Sequence, residues 1–425
     1  MWSPLYVLAS VLVLPGFCQN STNTSVPTGA YPFSVYTLTA ENITAKLIPY
    51  GASLTSLLVQ DRDGNYQDVV VGYDNATQYL TDSQSESPEG NPNPDIGFLP
   101  ANDEAANHTY FGPIVGRYAN RIKNSTFTLN GQSYHIPANE NAGADTLHGG
   151  TVGYDQRNWT VVASSPSSIT FSLLDTGFEG FPGTVLTIAT YTLGSAASGP
   201  QGEIRPRLTS SIVSTALDQD TPIMLANHIY WNLNAFKQAT ILNDTTLWMP
   251  YSDRYIAVDS ILIPTGDLGS VTNVSALDFL SPKLIGDAVD DAAGVCGAGC
   301  TGIDNAFILD RPANAGPAAS NFPVLRLWSE TTGIQLDVST NQRGLQIYTC
   351  NGQDGTIPVK ASQQTRNNGT QGAARFVNKH GCIVIETQAW IDGINHPEWG
   401  ISQDEIFGPT TGPAVNYATY DFSTF

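Results

Sequence analysis

Two segments of the chain carry side chains suited to moving protons. Leu225–Leu233 reads LANHIYWNL. As a β-strand it sends His228, Tyr230 and Asn232 to one face and Ile229, Trp231 and Leu233 to the other. The second face is apolar and can anchor the strand in a core. The first is polar and carries an imidazole. An ordinary solvated strand has the same pattern, so His228 gains weight only in company. Residues 382–390, CIVIETQAW, supply it. The run is apolar up to Glu386, as in a strand buried on both faces, and Val384, Glu386 and Gln388 point the same way. A carboxylate there is expensive to bury unless it is partnered or protonated. Desolvation would raise its pKa, which suits a general base or acid. An imidazole and a shifted carboxylate in one pocket make an acid–base pair.

Other polar groups stand beside breaks in regular structure. Tyr110–Ile122, YFGPIVGRYANRI, brings Arg117 and Arg121 into a mostly apolar stretch interrupted by glycines and a proline. A guanidinium fork can hold hydroxyls or a carboxylate; a surface arginine is the plainer alternative, above all for Arg121. In LHGG, His148 precedes Gly149 and Gly150, which permit a ligand to approach the backbone closely. In GLQIYT, Gln346 and Tyr348 share a face. No CxxC or HxH spacing, serine nucleophile elbow or phosphate loop occurs, so no motif points to zinc.

The elements that must position these groups are mostly short strands. Segments 33–39, 42–49 and 53–60 read as strands, and VVVG at 69–72 continues the pattern. FTLNGQSYHIP at 127–137 is a hairpin with an Asn-Gly turn. Strands at 184–193 and 204–213 flank a flexible tip, GSAASGPQGE. Further strands follow near 240–250, 255–263, 333–340 and 344–349, and YATYDF closes the chain. One short helix is expected within 275–291. Loops are expected at 83–106, 310–321 and 351–374, where Pro, Gly, Ser and Asn gather. Many short strands without amphipathic helices indicate a large antiparallel β-sandwich. The lack of a 20–50-residue period argues against a propeller.

The 425 residues suffice for two or three domains, yet no hinge or charge block divides them, so one large domain also fits. Only 13% are charged and 41% are hydrophobic, which excludes a disordered chain. A net charge of −20 repels nucleic acid and anionic membranes but suits small neutral ligands. Residues 4–17 form an apolar run of signal-peptide length, although Met1-Trp2-Ser3 lacks a basic residue. Cleavage near residues 18–20 leaves Cys296, Cys300, Cys350 and Cys382, enough for two disulfides. Cys296–Cys300 with Cys350–Cys382 is one of three pairings. Ten N-x-S/T sequons, at Asn20, Asn23, Asn42, Asn75, Asn107, Asn124, Asn158, Asn243, Asn273 and Asn368, favour an exported glycoprotein.

Seven segments in order resemble the aldose 1-epimerase (galactose mutarotase) family: GRYANRI at 116–122, LHGG at 147–150, EGFPG at 179–183, NHIYWNL at 227–233, IDNAF at 303–307, LQIYT at 345–349 and ETQ at 386–388. The resemblance runs from about residue 35 to the C-terminus. Trp231 stands where the family often has Phe, and Ile391-Asp392 replaces the usual Pro-Asp. The resemblance implies an all-β fold, a galactose-mutarotase-like antiparallel β-supersandwich; with the leader read as a signal peptide at 1–19, residues 20–425 are expected to form one domain. It implies interconversion of the anomers of a free aldose of the glucose or galactose class, with no metal and no organic cofactor. By position, His228 matches the general acid and Glu386 the general base. Asn120, Arg121, His148, Tyr230, Asp304 and Gln346 match substrate-binding groups. A ring such as Trp231 could provide a floor for the sugar. Two other functions fit the same fold: a non-catalytic carbohydrate-binding protein, and a glycoside hydrolase or lyase with Asp304 as second carboxylate.

Overall fold

The computed structural model describes residues 27–83, 92–93, 97–98, 108–198, 202–312 and 322–425. The expected leader, sequons Asn20, Asn23 and Asn107, and most of the 83–106 and 310–321 stretches lie outside the described residues.

Strand alternation builds two large antiparallel sheets. The nine-stranded sheet runs in the order Thr160–Ser164, Ser168–Asp175, Val185–Ser198, Glu203–Ala216, Ala414–Thr424, Ile334–Thr340, Leu325–Ser329, Thr245–Trp248, Lys283–Leu284. The six-stranded sheet runs Tyr230–Trp231, Ile383–Gln388, Gly344–Tyr348, Asp304–Ile308, Arg254–Val258, Pro264–Ser270. A four-stranded meander covers Tyr36–Ala40, Ile43–Ile48, Ser53–Gln60 and Tyr66–Asp68. Leu208, Ile212, Leu336, Val338 and Tyr420 of the larger sheet share one core with Leu345, Ile347, Ile383 and Ile385 of the smaller. Because side chains alternate, Val384, Glu386 and Gln388 must face away from that core. The smaller sheet therefore has one largely apolar face, broken by Asn305 and Thr387, and one face free to carry polar groups.

The Asn130-Gly131 turn joins Thr126–Leu129 to Gln132–His135, with both turn residues at positive φ (52° and 79°), as a two-residue hairpin requires. The strands expected to end at 193 and begin at 204 continue to Ser198 and from Glu203, so less of GSAASGPQGE is a tip than its composition indicated. Two helical turns escaped the sequence reading, Gln78–Ser83 and Ala361–Arg366. Each has only six residues, too few for an apolar period to register. The helix expected within 275–291 is Ile285–Asp290, preceded by a 3-10 turn at Ser275–Leu277.

Among the described residues, Cys296–Cys300 and Cys350–Cys382 are disulfides. The second links the end of the Gly344–Tyr348 segment to the start of Ile383–Gln388, adjacent strands of the six-stranded sheet. Its closed loop spans 32 positions. Replacing both Cys350 and Cys382 by alanine is expected to lower the unfolding free energy by about 3–4 kcal/mol, measured by denaturant titration. Non-reducing peptide maps should show those two cysteine peptides joined.

Candidate active site

Register decides which polar groups meet. Gln346 lies opposite Glu386, and Tyr230 lies opposite Val384. Asp304 pairs with Tyr348, two positions along from the Ala306–Gln346 pair, so Asp304 and Gln346 share a face. His228 arrives differently. The strand expected across 225–233 is broken at His228: Ala226–Asn227 pairs with Ile114–Val115, and Tyr230–Trp231 pairs with Ile383–Val384. Between them the His228 N–H donates to the Pro113 carbonyl and its own carbonyl accepts from Gly112, each at 2.9 Å. The histidine thus stands where the chain exchanges one partner strand for another.

Nε2 of His228 and Oε1 of Glu386 are 3.5 Å apart, with side-chain exposures of 7% and 3%. Burial pushes the imidazole down to about 3, the nearby Tyr110 backbone opposing and the His108 charge adding to the effect. Burial also holds the Glu386 carboxyl well above the usual carboxylate range; Asp304 adds to this and Arg121 opposes it. The pair consequently prefers to be uncharged, holding one proton between the two groups.

The backbone of Asn120, at φ 59°, grips His148 on two sides. Its carbonyl accepts the His148 N–H at 3.0 Å, and its N–H donates to Nδ1 of the His148 ring at 3.1 Å. Asn120 therefore positions His148 by its main chain, while its side-chain oxygen accepts the Arg121 N–H. Burial keeps His148 neutral, helped by His228 and Arg121. With Nδ1 accepting, the neutral ring carries its hydrogen on Nε2.

Ligand-type atoms of His148, His228 and Glu386 all lie within 4.8 Å of one another, a spacing that a metal ion could use. The donor chemistry does not fit. A metal-bound imidazole passes its other N–H to an acceptor, whereas Nδ1 of His148 is itself the acceptor and Nε2 offers a hydrogen. Such a trio suits an oxygen that can both accept and donate, as a hydroxyl does.

Arg121 spans Glu140 with two bonds, Nε to Oε2 at 2.7 Å and Nη2 to Oε1 at 2.8 Å. The fork expected to hold a ligand is largely committed to this carboxylate. Asp304 accepts from Nε2 of Gln346 at 2.6 Å, and burial raises its pKa. Oε2 of Glu386, Oε1 of Gln346 and both amide atoms of Gln388 are buried without a hydrogen-bond partner. Buried polar atoms are normally paired, so this face has spare capacity for a polar ligand. Gln388 was legible as a neighbour of Glu386 by alternation alone. Tyr110, whose ring centroid is 4.9 Å from that of His148 and 5.6 Å from that of His228, was not. Tyr230 packs 5.2 Å from His228 and edge-on to Phe111 at 4.9 Å.

Three expectations change. Trp231 is fully buried against Tyr420 and Phe422, on the core face, and cannot be a floor for a ligand. Arg117 is structural: its guanidinium binds Asp175 at 2.8 Å and the carbonyls of Pro182 and Gly183 at 2.8 and 2.9 Å, tying the GRYANRI segment to EGFPG. Gly149 and Gly150 admit not a ligand but the protein itself, since a Cβ would strike the Gly116 carbonyl and the Glu179 carboxyl respectively.

With this geometry established, comparison with known proteins is informative. Residues 34–88 and 86–405 match the family model described as aldose 1-epimerase. A "Probable aldose 1-epimerase" of Arthroderma benhamiae is 51% identical over 402 residues, covering 92% of this chain and 87% of the relative. The "Galactose mutarotase" of Bos taurus is 31% identical over 376 residues, covering 88% and 90%. The crystal structure of a GalM/aldose epimerase homologue from C. elegans superposes with a TM-score of 0.70 at 25% identity, covering 92% and 98%. The all-β fold is thus mutarotase-like.

A carboxyl whose pKa is higher folded than unfolded takes up a proton on folding, so its presence weakens the fold as pH rises above the ordinary carboxylate range. Glu386 is such a group. Glu386→Gln is expected to unfold at a higher temperature than the native protein at pH 7.5. That gain should vanish toward pH 4, and each unit of raised pKa corresponds to about 1.4 kcal/mol. Thermal unfolding at the two pH values checks it.

Proposed function

Because the chain belongs to the aldose 1-epimerase family, we propose that it interconverts the α and β anomers of free aldoses outside the cell, with Glu386 as base and His228 as acid. The observation that carries this reading is the buried 3.5 Å pair of His228 and Glu386. Its two members are shifted in opposite directions on a face with unpaired polar atoms. Glucose and galactose are the sugars to test first, the second because it is named in the bovine relative.

The chemistry follows from one mobile proton. Burial favours its residence on Glu386; its transfer to His228 produces carboxylate and imidazolium side by side. The carboxylate takes the proton of the anomeric hydroxyl while the imidazolium delivers one to the ring oxygen. The bond between C1 and the ring oxygen breaks and the aldehyde forms. Rotation about the C1–C2 bond exposes the other carbonyl face. Closure reverses both transfers and restores the pair. Each positioned group contributes about 10²–10⁴-fold. In this reading the Nε2 hydrogen of His148, Oε1 of Gln346 and the Gln388 amide hold sugar hydroxyls.

Export is supported by the apolar leader, the two disulfides, and the exposure of Asn42, Asn75, Asn124, Asn243, Asn273 and Asn368. Asn158 is half-buried.

Polarimetry of freshly dissolved α-glucose and α-galactose, with buffer catalysis subtracted, tests the activity. Acceleration is expected. Sugar binding without it, or release of reducing ends from a glycan, would replace this reading with a binding protein or a hydrolase. His228→Asn and Glu386→Gln should each lower kcat about 10²-fold or more while still binding sugar, and His148→Asn should do less. The pH–rate profile should be a bell whose limbs are the reverse of those the unperturbed residues would give. The acidic limb belongs to a second proton on His228, pushed down to about 3, and the alkaline limb to loss of the proton from Glu386. For export, N-terminal sequencing of protein from culture medium should begin near residue 19 or 20; intact Met1 on an unglycosylated chain would refute it.

A further inference from the structure

Tyr110 is the ring that meets both active-site imidazoles, yet its φ of 53° is unfavourable for a bulky residue. Its surroundings must hold it there. Two residues earlier, the His108 ring lies 3.9 Å from the Tyr110 ring, tilted by 63°. His108 is in turn gripped by two carboxylates. Its Nε2 is 2.8 Å from Oδ2 of Asp155, and its Nδ1 is 3.6 Å from Oδ2 of Asp82, all three side chains being 9% exposed or less. Asp155 belongs to the 3-10 turn Tyr154–Gln156 and Asp82 to the helix Gln78–Ser83. Asp82 also accepts from the Tyr73 hydroxyl at 2.7 Å and from the Thr109 N–H at 3.3 Å. The cluster thus knits three separate segments to the backbone on which Tyr110 stands.

Burial alone would strip His108 of its proton, but Asp155 and Asp82 outweigh that effect and push it up to about 9. His108 is therefore a cation at neutral pH, in contrast to His148 and His228. Among the described residues, the charged or titratable groups facing His228 are Tyr230 on its own segment, and His148, Tyr110 and Glu386 from its neighbours. Asp304 and Arg121 act on Glu386, and Arg121 is itself paired with Glu140 and lies 3.8 Å from Asp145. His108, behind Tyr110, is the cation whose charge bears on both imidazoles and which no sugar-binding role already explains.

We propose that the Asp82–His108–Asp155 cluster is a fixed cation that positions Tyr110 as a sugar-facing platform beside His148 and His228, and whose charge opposes a second positive charge on either imidazole. His108 is a positioning residue: it reaches the sugar only through Tyr110. The platform half of the inference rests on the mutarotase reading; the electrostatic half does not.

The experiment follows the imidazole signals of the full-length protein by NMR across pH, alongside mutarotation kinetics. In His108→Gln the His228 titration midpoint should rise by about one pH unit. KM should rise about fivefold, with a smaller change in kcat, because the ring platform is loosened. His108→Lys, which restores a cation without a ring, should return the midpoint toward the native value and leave KM raised. Should His108→Gln not fold, Asp155→Asn weakens both the hold on the His108 proton and the anchorage of its ring, and it carries the same two readouts. A folded variant with an unmoved His228 midpoint overturns the electrostatic role, and an unmoved KM overturns the platform. A native protein that fails to accelerate mutarotation refutes the mutarotase reading instead, and the NMR result still stands or falls by itself.

Discussion

The burial of Glu386 against His228 is the constraint on which the rest of the structure depends. A carboxyl in an otherwise apolar strand is tolerated only if it remains protonated or finds a partner. This one is held protonated, with a neutral imidazole 3.5 Å away. Low polarity is what moves the proton from the imidazole to the carboxyl, and it is also what makes the site expensive for the fold. The nine-stranded sheet and the shared core supply the apolar mass that offsets this.

Rigidity around the pair comes from unlike sources. The disulfide between Cys350 and Cys382 fastens neighbouring strands beside the Gln346–Glu386 register. Arg117, fully buried, fastens the loop that carries Asn120 to the turn at Pro182 and Gly183. Asn120 then fixes the tautomer of His148 through its main chain. The result is a face where hydrogen-bond donors and acceptors are set in advance, as acid–base chemistry on a neutral, hydroxyl-rich molecule requires. The same tautomer that suits a hydroxyl disfavours a metal ion, although the three ligand-type atoms are near enough to hold one.

Period-two alternation made much of this readable without coordinates. It placed Val384, Glu386 and Gln388 on one face and His228 and Tyr230 on another, and it separated both from Trp231 and its apolar neighbours. It also marked the hairpin at Asn130-Gly131, whose positive φ values only short or unhindered residues adopt easily. These are local properties: a strand's facing, a turn's handedness and the cost of an unpaired carboxyl are set by the residues themselves.

What needed the tertiary structure was every statement about partners. That Arg117 binds Asp175 while Arg121 binds Glu140 cannot be told from two arginines four positions apart. Gly149 and Gly150 looked suited to a ligand, but the space they leave is taken by Gly116 and Glu179. The strand through His228 read as continuous because its alternation survives the exchange of partners at that residue. Tyr110 and His108 gave no periodic signal, for their significance lies in contacts with Asp82 and Asp155, tens of residues away. The order in which His228 and Glu386 take up protons also needed it. Residue type makes an imidazole more basic than a carboxyl, and only burial on all sides, a property of the packed molecule, reverses it.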